Sequence, residues 1–186
     1  MCNELRISHL NPNKGSPEWV RQYNEGLEMV SFAMRVARKQ HLAGRYFIFE
    51  HPHKAASWRE PVVQRMWELP GVTRVKVDMC AYGLKTPGPS GEMAAQKPTY
   101  LLTNMPAMAE GMNRKCRGDH EHQQLISSRA KKAEEYTPAF CRALVKCTEI
   151  QWKLDQCGQT TLDELNLVDL VNICSNEYKR LKGFSN

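Results

Sequence analysis

The sequence predicts an α/β fold, because helix and strand patterns alternate through its first half. Apolar residues recur every three or four positions in residues 20–37, which indicates a helix with one buried face. Strand patterns follow at residues 46–49 and 72–77, and a helical segment at residues 59–69 separates them. The order helix, strand, helix, strand is typical of a doubly wound sheet whose strands run parallel.

The first helix has clear boundary signals. Ser16 is a suitable N-cap, Pro17 fits the first helical position, and Glu18 complements the positive end of the helix dipole. Ala43 and Gly44 are expected to end this helix after residue 42.

Each of the first two strands is followed by residues that can do chemistry. The strand at residues 46–49 stops at Glu50, and the second strand stops near Asp78 and Cys80. Ligands of doubly wound sheets bind beyond the carboxyl ends of the strands. We therefore expect Glu50 and Cys80 to face one crevice.

The second half is expected to contain a long loop, a third strand and three helices. Pro and Gly predict an exposed loop at residues 85–96, before a strand at residues 100–103 and a short Met-rich helix at residues 105–112. Thr137 and Pro138 begin a longer helix. A capping box precedes a final helix at residues 161–182. This pattern divides the chain into an α/β domain, residues 1–150, and a helical C-terminal extension, residues 151–186.

Composition and charge indicate a globular protein with an anionic partner. The chain has 186 residues, of which 41% are hydrophobic, and a net charge of +6, for which nucleic acid is a common partner. Apolar segments are shorter than the about 20 residues of a bilayer span, and no signal-peptide pattern opens the sequence. We expect an intracellular protein without membrane insertion. Its seven cysteines suit reduced or metal-bound thiols better than a disulfide framework.

One short polar segment, CRGDHEH at residues 116–122, has the residue types of a metal site. Cys116, His120 and His122 offer three ligands that zinc accepts in tetrahedral sites. The fourth ligand must come from elsewhere in the chain, and Cys80 and Cys141 are the two candidates. The alternative interpretation is an exposed polar loop that binds no metal.

The segment that follows the first strand permits several roles for Glu50. A sheltered carboxylate can hydrogen-bond the ring nitrogen of a heterocycle, or it can cap a neighbouring helix. His51 and His53 flank Pro52, and we interpret both as structural or solvated histidines.

Five segments occur in an order that carries a resemblance to a known family. They are FEHP at residues 49–52, DMCAYGL at 78–84, KPTYLLTN at 97–104, CRGDHEH at 116–122 and YTPAFCRAL at 136–144. In this order they resemble the carboxyl-terminal part of phage-type cytosine-5 DNA methyltransferase-like domains, which are also found in retroelement-type polyproteins. The resemblance covers about residues 2–147.

The resemblance implies a partial Rossmann-like, methyltransferase-like sheet with flanking helices, S-adenosylmethionine as methyl donor and a cytosine flipped out of DNA. It implies a catalytic role for Glu50, which matches the family's glutamate although His51 replaces the usual Asn. Cys2 stands near the place of the catalytic cysteine, without the Pro that normally precedes it. Target contacts are implied for Lys97, Thr99 and Asn104. The glycine-rich donor loop of the family is missing.

The sequence leads to three alternative hypotheses about function. The first is a truncated or degenerate methyltransferase-like protein that acts as a binding module, with DNA as its candidate partner. The second is a cytosine-5 DNA methyltransferase that needs a missing donor-binding half. The third is a structural subunit of a larger complex, in which a protein partner or self-association covers an apolar face that the truncated sheet leaves open.

Overall fold

A computed structural model describes residues 14–89, 91–125 and 133–156, which form a mixed α/β structure with two small sheets. The helices are α1 (Pro17–Leu42), α2 (Pro61–Trp67), α3 (Pro106–Gly111) and α4 (Pro138–Gln156). The strands are β1 (Ile48–Pro52), β2 (Thr73–Asp78), β3 (Lys85–Gly88), β4 (Gly91–Ala95), β5 (Pro98–Thr103) and β6 (His122–Gln123). Short 3₁₀ turns occur at Ala56–Arg59 and Met79–Tyr82.

The main sheet has the strand order β1-β5-β2, and both pairings in it are antiparallel. Leu101 of the central strand lies opposite Glu50 on one side and Val75 on the other. The predicted parallel pairing is therefore wrong. Strands β1 and β2 run in the same direction, but β5, which comes after both of them in the chain, lies between them.

Helices cover both faces of the main sheet. One core cluster packs α1 and α2 against the face that carries Phe47 and Leu102. The other cluster packs α3 and α4 against the face that carries Val77 and Leu101. Because helices cover both faces, the strands are apolar on both faces. This pattern is typical of parallel sheets, but here it occurs in an antiparallel one. The two-sided cover also removes the open apolar face that was expected of a truncated sheet.

The first helix forms as predicted. Its bounds are Pro17–Leu42, and the Ser16 side chain accepts a hydrogen bond from the backbone N–H of Trp19 at 3.2 Å. Val30 and Met34 on its inner face are almost completely buried. Of the helices in the described ranges, none combines the length and the apolar composition needed to cross a bilayer.

The Pro- and Gly-rich segment at residues 85–96 contains a β-hairpin, so the prediction of a long loop there is wrong. Lys85 pairs with Ala94 and Gly88 with Gly91, which places β3 and β4 in antiparallel register. Pro87 is tolerated because β3 is the edge strand of the small sheet, where a missing N–H costs no ladder bond. Gly91 turns the chain with a φ of +115°, a value that favours glycine.

Strand β6 completes the second sheet by pairing in parallel with β4, so that His122 lies beside Ala94. In the main sheet, β1 begins at Ile48 and extends to Pro52. Glu50 therefore lies in the middle of this strand, not at its end as predicted.

The short Met-rich helix and the longer helix after Thr137 occur as predicted, at α3 and α4. The Thr137 hydroxyl accepts a hydrogen bond from the N–H of Phe140 at 3.2 Å and donates one to the carbonyl of Tyr82 at 2.8 Å. The final predicted helix, residues 161–182, and most of the predicted C-terminal extension lie outside the described residues.

Candidate metal centre

The structure brings four predicted metal ligands together at one end of the main sheet. They are Cys80, Cys116, His120 and His122, and their ligand atoms all lie within 4.8 Å of one another. The Cys116 Sγ atom is 3.6 Å from Nε2 of His120 and 3.4 Å from Nε2 of His122. The two Nε2 atoms are 3.1 Å apart, and Nε2 of His122 is 3.4 Å from Sγ of Cys80.

These separations match the edges of a zinc tetrahedron. Bond lengths of about 2.3 Å to sulfur and about 2.05 Å to nitrogen imply edges of about 3.5 Å between S and N and about 3.3 Å between two N atoms. The four distances given above range from 3.1 to 3.6 Å. A group of this geometry could hold one metal ion with little rearrangement.

Cys80 reaches the centre from a tight turn directly after β2. The turn Met79–Tyr82 closes with a hydrogen bond from the N–H of Gly83 to the carbonyl of Cys80 at 3.0 Å. Gly83 has a φ of +77°, which ends the turn at low cost. Because Met79 and Tyr82 are buried in the core, the turn that carries Cys80 has a fixed position.

Cys116 belongs to the metal loop, residues 114–122, which Asp78 holds against the end of β2. The N–H of Cys116 donates to Oδ2 of Asp78 at 2.9 Å, and the N–H of Asp78 donates to the carbonyl of Arg114 at 2.9 Å. The N–H of Gly118 points at Sγ of Cys116 at 3.3 Å. An N–H that faces sulfur stabilises a thiolate, which is the form that binds metals.

The two histidines are oriented by different parts of the chain. His122 is fixed by its place in β6, opposite Ala94. Nδ1 of His120 donates to Oδ1 of Asp119 at 2.8 Å, which leaves Nε2 directed at the centre. The hydrogen bond with His120 lowers the pKa of Asp119. A carboxylate on the far nitrogen of a metal-binding histidine fixes the tautomer and the ring orientation.

The protein environment alone disfavours a thiolate at Cys80. Burial, and next the hydrogen bond with Cys116, raise the pKa of Cys80 to about 11. A divalent cation reverses this preference, because a coordinating thiol loses its proton.

Cys141, the other candidate for the fourth ligand, lies on α4 with an exposed side chain and outside the group. Of the two candidates for the fourth ligand, the structure therefore places Cys80 with the other three residues.

Glu50, for which the resemblance implies catalysis, lies outside the metal group. Its Oε2 atom accepts a hydrogen bond from the hydroxyl of Tyr136 at 2.6 Å. Burial, and next the bond to Glu50, raise the pKa of Tyr136. Glu50 thus pairs with Tyr136, whereas Cys80 belongs to the metal group. Cys2 lies outside the described residues.

Asn104, predicted to contact a target, links three segments of the fold. Its Oδ1 atom accepts from the N–H of Phe47 at 2.9 Å, and its Nδ2 atom donates to the carbonyl of Arg45 at 3.0 Å. Nδ2 also lies 3.2 Å from Nδ1 of His41. These contacts hold the end of α1, the start of β1 and the end of β5 together.

Lys97 and Thr99 are also engaged in the fold. The Lys97 ammonium donates to the carbonyl of Ala133 at 2.9 Å and lies 5.6 Å from the centre of the Tyr136 ring. Thr99 is fully buried in β5, and its hydroxyl has no hydrogen-bond partner among the described residues.

The unpaired hydroxyl of Thr99 leads to a stability prediction. Thr99→Val keeps the shape of the side chain and removes the unpaired polar group, so it should raise the free energy of unfolding by about 1 kcal/mol. Thr103→Val is the matched control in the same strand, because Thr103 is equally buried but donates to the carbonyl of Phe47 at 2.7 Å and accepts from Met105 at 3.1 Å. The control should lose about 1–3 kcal/mol. Urea unfolding measures both, and equal losses in the two variants would contradict the assignment.

The residues that hold the four candidate ligands in place have no recognisable pattern in the sequence. Asp78 and Asp119 were visible only as acids beside the cysteine and histidine positions, and no pattern in the sequence says which backbone or ring nitrogen each one binds. The pairing of Tyr136 with Glu50 was likewise missed, because 86 residues separate the two side chains.

Comparison with known proteins gives no relatives: no family profile, no curated protein and no solved structure is significantly similar to this chain.

Proposed function

We propose that this chain is a zinc-binding protein whose metal has a structural role. The observation that carries the proposal is the convergence of Cys80, Cys116, His120 and His122 on one point at tetrahedral spacing. Two sulfur and two nitrogen ligands suit zinc better than calcium or magnesium, which prefer oxygen.

Four protein ligands would complete the tetrahedral shell of zinc. A catalytic zinc keeps one position for water or substrate, whereas a structural zinc has all four positions filled by the protein. The ligands come from the turn after β2, from the metal loop and from β6. Zinc bound here would cross-link the main sheet to the small sheet and hold the metal loop in place.

In this function the chain is a binding module with a metal-stabilised surface. Such a module performs no reaction at the metal. The metal reduces the conformational freedom of the exposed loop, so less entropy is lost when the loop meets a partner.

The zinc affinity of cysteine variants distinguishes Cys80 from Cys141 as the fourth ligand. The purified chain is expected to hold about one zinc ion per molecule, since one four-ligand group makes one site. Cys80→Ser should lower zinc affinity by more than about 100-fold, because even the loss of a supporting residue costs 10- to 100-fold. Zinc titration against a chromogenic chelator measures the affinity.

Cys141→Ser is the matched control for this experiment. It makes the same chemical change at an exposed cysteine outside the group and should leave zinc affinity unchanged. Equal zinc affinity in the Cys80→Ser variant and the unmodified chain would refute the proposed site.

The methyltransferase function has less support than the metal site. Glu50 carries a carboxylate that Tyr136 positions, which suits the role implied by the resemblance. The main sheet, however, is antiparallel, whereas a Rossmann-like sheet is mostly parallel. Calorimetric titration with S-adenosylmethionine distinguishes the two functions, since binding heat would favour the enzyme.

The assembly function is favoured by an apolar stripe on the outer side of α1. Met29, Phe32 and Val36 recur there at helical spacing, and 56%, 61% and 43% of their surfaces are exposed. A partner protein or a second copy of the chain could cover this stripe. Size-exclusion chromatography of the zinc-loaded chain tests for self-association.

A further inference from the structure

The end of the main sheet and the metal loop share one cationic surface, which consists of Lys54, Arg74, Lys76, Lys115 and Arg117. We propose that this cationic surface binds the phosphodiester backbone of a nucleic acid. The inference rests on the proposed zinc site, because the metal would fix the loop that supplies two of the five cations.

Aromatic rings hold the first half of the surface in place. The Arg74 guanidinium lies 3.6 Å from the centre of the Trp67 ring and 4.3 Å from that of Tyr100. The His53 ring packs on Tyr100 at 4.6 Å. A guanidinium stacked on rings has lost its rotamer freedom before any ligand arrives, and its planar fork suits phosphate oxygens.

Positive charge is concentrated around His53. Burial lowers the pKa of His53, and Lys76, Lys54 and Arg74 lower it further. Lys54 follows His53 directly in the chain, and Arg74 and Lys76 lie on the same face of β2. This is the charge distribution that attracts a polyanion.

Asp78 connects this group of cations to the metal loop. Its Oδ1 atom lies 3.7 Å from the Lys76 ammonium, and its Oδ2 atom accepts the N–H of Cys116 at 2.9 Å. Lys115 and Arg117 flank Cys116, and both side chains are exposed. One buried carboxylate therefore contacts a cation of the first group and the backbone of the loop that carries the second group.

Most cations on this surface have no acidic partner. Within the described part of the chain, Lys54, Arg74, Lys115 and Arg117 make no salt bridge. Among the nearby carboxylates, Asp78 contacts Lys76 and Cys116, Asp119 binds His120, and Glu121 of the metal loop is exposed. Lys54, Lys115 and Arg117 are exposed and are available for an external anion.

A nucleic acid suits this surface better than a single small anion. The cations are distributed over β2, the segment after β1 and the metal loop, whereas a lone phosphate would need them to converge on one point. Phosphates repeat at short intervals along a nucleic acid and displace counterions when cations replace them. DNA and RNA share this chemistry, and the experiment below distinguishes them.

Fluorescence anisotropy with the zinc-loaded full chain tests the proposal. The probes are labelled single-stranded DNA of about 20 nucleotides, RNA of the same sequence and the DNA duplex. Affinity should fall as salt rises. Lys115→Ala with Arg117→Ala should weaken binding at least fivefold and reduce the slope of log affinity against log salt by about 1 to 2, since each lost phosphate contact removes about 0.7–0.9.

Arg38→Ala with Arg142→Ala is the matched control. It removes the same charge from exposed positions on α1 and α4, which are not among the five residues of the cationic surface, and should change affinity less than twofold. Equal weakening in both double variants would overturn the proposal, because only net charge would then matter. Polyglutamate or anionic vesicles that bind as tightly as the oligonucleotides would overturn it too.

The outcomes also separate this inference from the zinc proposal. If the chain holds one zinc ion but binds none of the oligonucleotides, the zinc proposal is supported and the nucleic-acid proposal is refuted. If the chain holds no zinc but still binds the oligonucleotides, and the Lys115→Ala, Arg117→Ala double variant weakens this binding, the zinc proposal is refuted and the nucleic-acid proposal is supported.

Discussion

Removal of zinc is expected to lower the melting temperature of the chain by about 8 to 16 °C. A ligand present at a thousand times its Kd stabilises the folded state by about 4 kcal/mol, and 1 kcal/mol shifts the melting temperature of a chain of this size by about 2 to 4 °C. The site exists only in the folded chain, because an unfolded chain does not hold Cys80, Cys116, His120 and His122 together. Zinc binding therefore stabilises the folded state. Thermal unfolding with excess zinc and with excess chelator measures the difference.

Removal of zinc should destabilise some parts of the fold more than others. His122 fixes β6 beside β4, and the metal loop is joined to the main sheet chiefly through Asp78 and the proposed metal. The main sheet is held by core clusters that do not include the metal ligands His120 and His122. Hydrogen exchange should therefore increase in residues 114–123 before it increases in β5.

The control is the Cys116→Ser variant, which lacks one ligand of the site. Its melting temperature should already be low and should respond little to added chelator. If the chelator destabilised this variant as strongly as the unmodified chain, its effect would come from another metal site.

The grouping of three candidate metal ligands was predictable because they are close in sequence. Cys116, His120 and His122 lie within seven consecutive residues, so their proximity requires no knowledge of the fold. The fourth member of the group comes from a distant part of the chain, and the sequence left two cysteines open for it. The choice between Cys80 and Cys141 could be made only from the positions of β2 and α4.

The strand order was not predictable from the same patterns. Hydrophobic runs show where strands lie and whether both faces are buried, but the neighbour of each strand depends on contacts far apart in sequence. Strand β5 enters between β1 and β2 about 20 residues after β2 ends. Its Thr99 and Thr103 have similar burial and different hydrogen bonds, which a single sequence does not distinguish.

Glycine and proline led to the error at residues 85–96. Both residues normally indicate a loop, and the segment has four of them. Gly88 and Gly91 instead form the last pair of a hairpin, and Pro87 occupies an edge strand where its missing N–H does no harm. Pro87 is compatible with a strand only because β3 lies at the edge of its sheet, and the local sequence does not reveal which strand is at the edge.

Phe140→Ala is expected to destabilise the chain by about 3 to 5 kcal/mol, the usual cost when a fully buried phenylalanine leaves a cavity. Phe140 is 1% exposed. Its ring meets Tyr82 edge-on at 5.4 Å and stacks on Tyr136 at 5.2 Å. Truncation would remove both ring contacts and leave the pocket between α4 and the turn Met79–Tyr82 empty. Urea unfolding of the zinc-loaded variant measures the free energy.

Phe32→Ala is the matched control, because it is the same substitution at a position on α1 where 61% of the residue's surface is exposed. It should change the free energy of unfolding by less than about 0.5 kcal/mol. The turn that carries Cys80 packs on Phe140 through Tyr82, so zinc should also dissociate at a lower temperature from the Phe140→Ala variant than from the Phe32→Ala variant. Equal stability of the two variants would mean that α4 does not pack on this turn, and the metal centre would then lose the support that the core gives to Cys80.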